Sequence, residues 1–269
     1  MQVIGLCRFS YPAIGGFRLN QDTIEDQRRF LYAADRMAER FRLFETITLP
    51  GFRAQTDEAF ELLLLTGTCL PTAFSDRLRD LTAQIKQIRI IERDPADHKR
   101  VMREVLNTAR TNPDEPCIQF RHDDDDAVSV DFIESLRSAL CENAGLVRQS
   151  ESIAIDYNNG YVARCDKHRI QVAQVYRSLL GVGLGMFVQG GSKRTIFDRL
   201  HNRLARFMPV VSYPDVPMWL RMLHAFNDSD HARKDTCELL PLTPEQTEDL
   251  RTRFSIDPDT MKRTRVRDC

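Results

Sequence analysis

Residues 117–131 read Cys-Ile-Gln-Phe-Arg-His-Asp-Asp-Asp-Asp-Ala-Val-Ser-Val-Asp. Pro116 opens an apolar run, Cys117–Phe120, with the character of a short buried strand. It leads into Asp123-Asp124-Asp125-Asp126. Beyond them Val130, Ile133, Leu136 and Leu140 recur at helical spacing. A strand, an acidic turn and a helix in that order put the carboxylates at the carboxyl end of a strand in an open α/β sheet, the edge where such sheets bind ligands. Four adjacent carboxylates cannot all stay ionised without a cation beside them. Hard divalent cations such as Mg²⁺ or Mn²⁺ prefer oxygen ligands and are shared with substrate phosphates. The stretch therefore predicts a cation–diphosphate site. A bare run of four aspartates is equally well an acidic turn without a ligand; the strand before it and the helix after it favour function. Alternation along a strand pairs Asp123 with Asp125 and Asp124 with Asp126.

Outward from this stretch the chain alternates. Val3–Cys7 is a compact apolar strand. Over residues 24–44, Phe30, Ala34, Met37, Phe41 and Phe44 form a helical stripe. Leu49-Pro50-Gly51 reads as loop. Phe60–Thr66 is a continuous buried strand, Phe74–Leu81 a short helix, and Ile88–Ile91 a third strand. Asp97 caps a helix with Val101, Val105, Leu106 and Ala109 inside. This order predicts an α/β fold with a doubly wound, mainly parallel sheet in the first half. After residue 150, Ser152–Ile155 and Tyr161–Cys165 flank Asn158-Asn159-Gly160, a hairpin signature. Val182–Gln189 follows as a strand and Phe197–Phe207 as a helix. The expected division is a ligand-binding α/β half at 1–145, a mixed and antiparallel half at 146–243 and a polar tail at 244–269. The tail ends basic at Lys262, Arg263, Arg265 and Arg267 and reads as a solvated terminus.

Composition narrows the class. The chain has 269 residues, 42% of them hydrophobic and 29% charged, with a net charge of −1. That suits a packed core and gives no electrostatic pull towards nucleic acid. Its seven cysteines show no CxxC spacing, which argues against a zinc knuckle. Their odd number argues against a disulfide framework and fits a reducing cytoplasm. The amino terminus lacks a basic segment and cleavage site, so it reads as a strand and not a signal peptide. Leu179–Val188 is too short to span a bilayer. No GxSxG, HExxH or GxGxxG motif is present. A metal-dependent phosphoryl or nucleotidyl transferase would use the same carboxylates but needs a phosphate cradle, and Gly190-Gly191-Ser192-Lys193 is too short for one. A non-catalytic cation- or carbohydrate-binding protein would not need a parallel sheet ahead of the acid cluster.

The stretches GLCRFSY at 5–11, FETITLPGFRAQTDEAFELLLLT at 44–66, RHDDDDAVSVDF at 121–132 and WLRMLHAFNDS at 219–229 together resemble the GT-A glycosyltransferases, and among them a bacterial rhamnosyl transferase family. The resemblance runs from the first strand to about residue 230. It implies a GT-A-like fold and a hexosyltransferase that moves a sugar, rhamnose by the family's label, from a nucleoside-diphosphate-sugar. The implied acceptor is a hydroxyl of a saccharide or lipid-linked saccharide in polysaccharide biosynthesis, met in the cytoplasm or peripherally at the inner membrane. The DXD motif falls on Asp123-Asp124-Asp125. Asp125 is then the ligand of Mn²⁺ or Mg²⁺, and Asp123 contacts the cation or the ribose. Asp124 and Asp126 support the donor, with Asp126 near its sugar. Arg8 lies by the nucleotide, Asp57 near its base, and His224 is a further metal ligand. Trp219, one helical turn from Leu223, stacks on a sugar, and Asn227 of the same motif contacts the donor. Read alone, His224 is an ordinary histidine and Trp219 a core residue. The base that deprotonates the acceptor is open. No Glu-Asp pair occurs where inverting relatives carry one, since Glu248-Asp249 lies in the tail. Asp198, His201 and Asp215 are candidates by position.

Overall fold

The structure, a computed structural model, describes residues 1–15, 23–166, 169–226 and 237–263. Its centre is four parallel strands: β1 (Gln2–Arg8), β2 (Glu61–Gly67), β3 (Ile88–Arg93) and β4 (Cys117–Asp123). β1 lies between β2 and β4 and is parallel to both, with Arg8 opposite Asp123. Leu62, Leu63, Leu64 and Leu65 are all fully buried. Parallel strands are covered on both faces, which is why this segment is an unbroken apolar run and not an alternating one. Each such leucine contributes about 1.5–3 kcal/mol on burial. β3 is the edge of the sheet and carries Arg89, Glu92 and Arg93, charges that discourage pairing with another chain.

The second half adds β5 (Ala127–Val128), β6 (Ser152–Tyr157), β7 (Asn159–Cys165), β8 (Ile170–Tyr176), β9 (Leu184–Val188), β10 (Val210–Tyr213), β11 (Trp219–Met222) and β12 (Leu240–Pro241). The larger sheet runs β10-β6-β9-β4-β1-β2-β3 and the smaller β12-β8-β7-β11-β5. β9 is antiparallel to both β4 and β6. The α/β fold with a mainly parallel first half and a mixed second half is therefore present, and both halves contribute to one sheet.

Several local expectations change. The hairpin at Asn158–Gly160 is absent: β6 joins the larger sheet and β7 the smaller. Gly160 serves packing, because a Cβ there would lie 2.2 Å from Cδ2 of Trp219. The long helix over 24–44 is two helices, α1 (Ile24–Leu31) and α2 (Ala34–Leu43). Leu49-Pro50-Gly51 is not loop, because α2 continues through a π-helical turn, Phe44–Thr48, into α3 (Leu49–Arg53). Pro50 follows the π-helical turn directly, and that local change of helical register accommodates a residue that cannot donate a main-chain bond. Gly51 lets the backbone approach the Val128 carbonyl, which a Cβ would meet at 2.6 Å.

The remaining helices are α4 (Thr72–Thr82), α5 (His98–Thr108), α6 (Phe132–Glu142) and α7 (Ala144–Gln149). Asp97 caps α5 as expected, accepting the Arg100 N–H. The expected helix at Phe197–Phe207 is a shorter 3₁₀ turn, His201–Arg206. Trp219 and Leu223 are not a helical turn apart, since Trp219–Met222 is a strand paired with β5. The tail is not simply solvated. A capping box of Thr243 and Gln246 starts helix Pro244–Thr252, and Leu250, Phe254, Ile256 and Met261 are buried against Leu43, Ile47 and Leu220. Arg265 and Arg267 lie outside the described residues.

Candidate functional site

β4 ends at Asp123, and the Asp126 N–H turns back to the Asp123 carbonyl at 3.3 Å. Strand alternation therefore stops at the first aspartate, and the expected 123/125 and 124/126 pairs do not form. Asp123 Oδ1 accepts from Arg8 Nη2 at 3.0 Å. Asp124 Oδ1 and Asp125 Oδ2 share one guanidinium nitrogen, Arg40 Nη1, at 2.6 and 2.9 Å. Asp126 turns inward: its Oδ1 accepts the Met222 N–H at 3.1 Å and its carbonyl accepts Thr48 Oγ1 at 2.8 Å. Asp126 thus ties the acidic turn to β11 and to the π-helical turn.

His224 meets the run at Asp125, with Nε2 2.7 Å from Oδ2. The Phe226 N–H donates to His224 Nδ1 at 3.3 Å. A nitrogen that accepts carries no hydrogen in the neutral ring, so Nε2 holds the hydrogen and donates it to Asp125. His224 therefore orients a carboxylate, and its Nε2 lone pair is not offered to a metal in this arrangement. Among the described residues, no three His, Cys, Asp or Glu side chains cluster with metal-ligand spacing.

The electrostatics divide the run. Burial would lift Asp123, whose side chain keeps 39% of its surface, but the Arg8 and Arg121 guanidiniums outweigh it and hold the carboxyl well below the usual range. Burial also opposes ionisation of Asp125, yet Arg40 and the His224 hydrogen bond hold it at about 2. Asp124 is pushed up to about 7, mainly by burial, with Asp125 adding to Arg40's failure to compensate. Its Oδ2 is buried without a hydrogen-bond partner. Burial also lifts Asp126 well above its ordinary value. Around the turn stand two histidines held at about 4, first by burial: His98, which accepts from Arg8 Nη1 at 3.2 Å, and His122 within β4. Arg8 and Arg121 lower His98 further.

Of the other expected site residues, Arg8 joins the cluster directly. Asp57 does not. It precedes β2 at the opposite edge of the sheet, where its Oδ2 accepts from Arg137 Nε at 2.6 Å and its Oδ1 from the Ala59 N–H. Six strand rises separate that edge from the aspartates, about 20 Å. Trp219 cannot stack on a sugar: it is fully buried, donates Nε1–H to the Tyr157 carbonyl at 2.8 Å, and packs on Gly160 and Gly183. Asn227 lies outside the described residues. Asp198 closes a turn, accepting Thr195 N–H and Oγ1–H, and pairs with Arg103 at 3.1 Å. Asp215 lines a separate cavity of about 170 Å³ with Asp131, Tyr157 and Tyr213. His201 donates Nδ1–H to the Leu179 carbonyl.

Sequence reasoning missed the cations that balance the turn: Arg36, Arg40, Arg121 and Arg221. Arg36 and Arg40 are only 1% and 4% exposed. They stand one helical turn apart, on either side of Met37 and near Phe41, so charge beside an apolar stripe was the available clue. Arg121 extends Cys117–Phe120 and lies over the Phe197 ring, 5.0 Å from its centroid.

The sequence model of a family described as "Putative rhamnosyl transferase" matches residues 2–236. No curated protein matches the chain. Among solved structures, S. aureus TarS 1–349 matches with a TM-score of 0.42 and 8% identity, covering 82% of this chain and 60% of that one. The chain thus spans less than two thirds of that relative. The same protein crystallised with UDP-GlcNAc gives 0.44 and 10%, covering 93% and 65%. A 4-diphosphocytidyl-2C-methyl-D-erythritol synthase from Anaerococcus prevotii gives 0.37 and 14%, covering 80% and 88%. These likenesses assign no residue and no ligand to the chain.

Proposed function

The chain belongs to the rhamnosyl transferase family of glycosyltransferases, and on that premise we propose that its acidic turn receives a nucleoside-diphosphate-sugar and passes the sugar to a saccharide hydroxyl. The observation that carries this reading is the turn itself: buried carboxylates at the carboxyl edge of a parallel sheet, faced by Arg8, Arg36, Arg40, Arg121 and Arg221. Arg8 and Arg121 suit the charge of a diphosphate, and neutral His98 beside them is a polar contact without a competing charge. Rhamnose is the sugar that the family's description suggests. The acceptor is a saccharide or lipid-linked saccharide met from the cytoplasm. No helix among the described residues is long and apolar enough to cross a membrane.

A divalent cation, Mg²⁺ or Mn²⁺, fits this chemistry. Such ions are held by one or two carboxylates together with substrate phosphates. Asp125 and the buried, unpartnered Oδ2 of Asp124 are the oxygens that would hold it. His224 would support Asp125 from behind, as hydrogen-bonded partners of ligating carboxylates do. When bound, the cation would neutralise charge on the departing diphosphate.

Thermal unfolding with a panel of UDP-, GDP- and dTDP-sugars, with and without Mn²⁺, tests the reading. At least one donor should raise the melting temperature in the presence of Mn²⁺. Asp125→Asn should abolish the rise while remaining folded. Stabilisation by no donor sinks the assignment. A rise that persists without any divalent ion removes the cation and leaves sugar transfer standing.

A further inference from the structure

The geometry points to His201 as the base that takes the proton of the acceptor hydroxyl, with Asp156 and the Leu179 backbone as the positioning residues that aim it. This rests on the reading of the chain as a sugar transferase.

Leu179 has φ 54, in the left-handed region that a leucine enters only under strain. A buried carboxylate holds it there: the Leu179 N–H donates to Asp156 Oδ1 at 2.8 Å, and Asp156 Oδ2 accepts from Ser212 Oγ at 3.2 Å. Asp156 lies on β6 and is 1% exposed. Held in this way, the Leu179 carbonyl meets His201 Nδ1. A carbonyl only accepts, so Nδ1 carries the hydrogen and Nε2 keeps its lone pair. Nε2 takes no hydrogen bond among the described residues.

The surroundings favour the neutral ring. Burial lowers the imidazole's pKa first, then Arg121. The charged groups that face His201 are Arg121 and Asp123 from β4 and Arg221 from β11. The same groups border the acidic turn, so the His201 ring stands on the side of the proposed donor site. The two other candidates are committed elsewhere. Asp198 is closed by Thr195 and Arg103, and Asp215 lines the separate cavity.

In the step itself, His201 Nε2 takes the hydroxyl proton as the acceptor oxygen bonds to the anomeric carbon. The bond from that carbon to the diphosphate oxygen breaks, and its electron pair leaves with the nucleoside diphosphate. The imidazolium then returns its proton to water. No oxidant, reductant or further reactant is required.

The test uses the full chain and the nucleotide-sugar panel, with water as acceptor, reading nucleoside diphosphate release. His201→Ala should lower turnover about 10²–10⁴-fold with donor-induced stabilisation unchanged, and added imidazole should restore part of it. Long-range ¹H–¹⁵N spectra should show His201 as the Nδ1–H tautomer. Asp156→Ala should mix the tautomers and lower kcat more than it changes KM. Asp156→Asn, which keeps an acceptor for the Leu179 N–H, should retain both. Leu179→Gly, which relieves the strain and keeps the carbonyl, should remain active. A donor turned over equally well without His201 overturns the assignment, and so does a His201 carrying its hydrogen on Nε2. A parent that binds and turns over no donor removes the sugar-transfer reading itself, and the assignment with it.

Discussion

The two edges of the larger sheet hold the same pair of residue types, arginine and aspartate, in opposite states. At the amino edge Arg137 is fully used: it donates to Asp57, to the Met1 carbonyl and to the Ala59 carbonyl, each at 2.6 Å. At the carboxyl edge several arginines meet four carboxylates, yet Asp124 Oδ2 and His122 Nδ1 remain buried without a hydrogen-bond partner. One edge is closed by its own polar groups. The other keeps charge gathered and incompletely paired, which native proteins tolerate mainly where a ligand completes the set. An Arg–Asp contact alone therefore says little about function; whether its neighbours are satisfied says more.

The largest expected effect is at Arg40. It is 5% exposed at its side chain and serves Asp124 and Asp125 together. Arg40→Met leaves buried Asp124 without its arginine and Asp125 with His224 alone, and should cost about 3–5 kcal/mol, the loss typical of breaking a buried ion pair. Urea denaturation at pH 7 measures it. Arg137→Met at the amino edge, where the side chain keeps 28% of its surface, should cost much less. Equal losses at both edges would break the contrast.

The sheet was far more legible than the charge network. Leu62–Leu65 announce a buried strand in four consecutive letters, and Cys117–Phe120 does so before the aspartates. Those patterns are local, and local apolar pattern is what decides a parallel strand. Asn158-Asn159-Gly160 misled because a glycine serves either a turn or a close approach. Here the approaching ring is Trp219, 59 positions along the sequence and placed by the neighbouring strand β11. The pairing within the aspartate run was hidden for a similar reason. It depends on where β4 stops and on Arg40, which reaches the run from a helix 84 residues earlier. His224 was legible as a neighbour of Asp125, but its hydrogen is placed by the Phe226 amide, which no spacing reveals.

The next expected effect is in pH. His122 and His98 are held at about 4, chiefly by burial, whereas an unfolded histidine titrates near 6.5. Between those values the unfolded chain binds the extra protons. The histidines' contribution to stability should therefore fall as pH drops from about 6.5 towards about 4, by up to roughly 1.4 kcal/mol per pH unit for each fully buried group. His98 is only partly buried and should give less. Asp57 behaves differently. Burial opposes its ionisation, but the Ala59 N–H and Arg137 outweigh that and lower it, so its contribution is complete above about pH 4 and is lost only below. Asp124, raised to about 7, and Asp126, also raised, take up protons in the folded state over the same range and oppose the histidines, so the histidine share is read as the difference between parent and variant. Denaturation midpoints measured from pH 7 to 4 in the parent and in His122→Gln check this: the stability difference between parent and variant should shift against the parent as pH falls. A difference that stays the same across this range would remove His122 from the account.

The smallest expected effect sharpens the comparison from the quiet side. Asp57 and Arg137 keep 21% and 28% of their side-chain surface, so solvent screens their attraction and the pair should couple by about 1 kcal/mol or less. A double-mutant cycle of Asp57→Asn and Arg137→Gln, read by urea denaturation, isolates that term. The more telling half of the experiment is donor binding. Asp57 joins α6 to the start of β2, at the edge away from the acidic turn, so neither variant should alter the donor-induced rise in melting temperature. If Asp57→Asn abolished that rise while the fold stayed intact, the amino edge would be part of the binding site, and the division between a closed edge and an open one would fail.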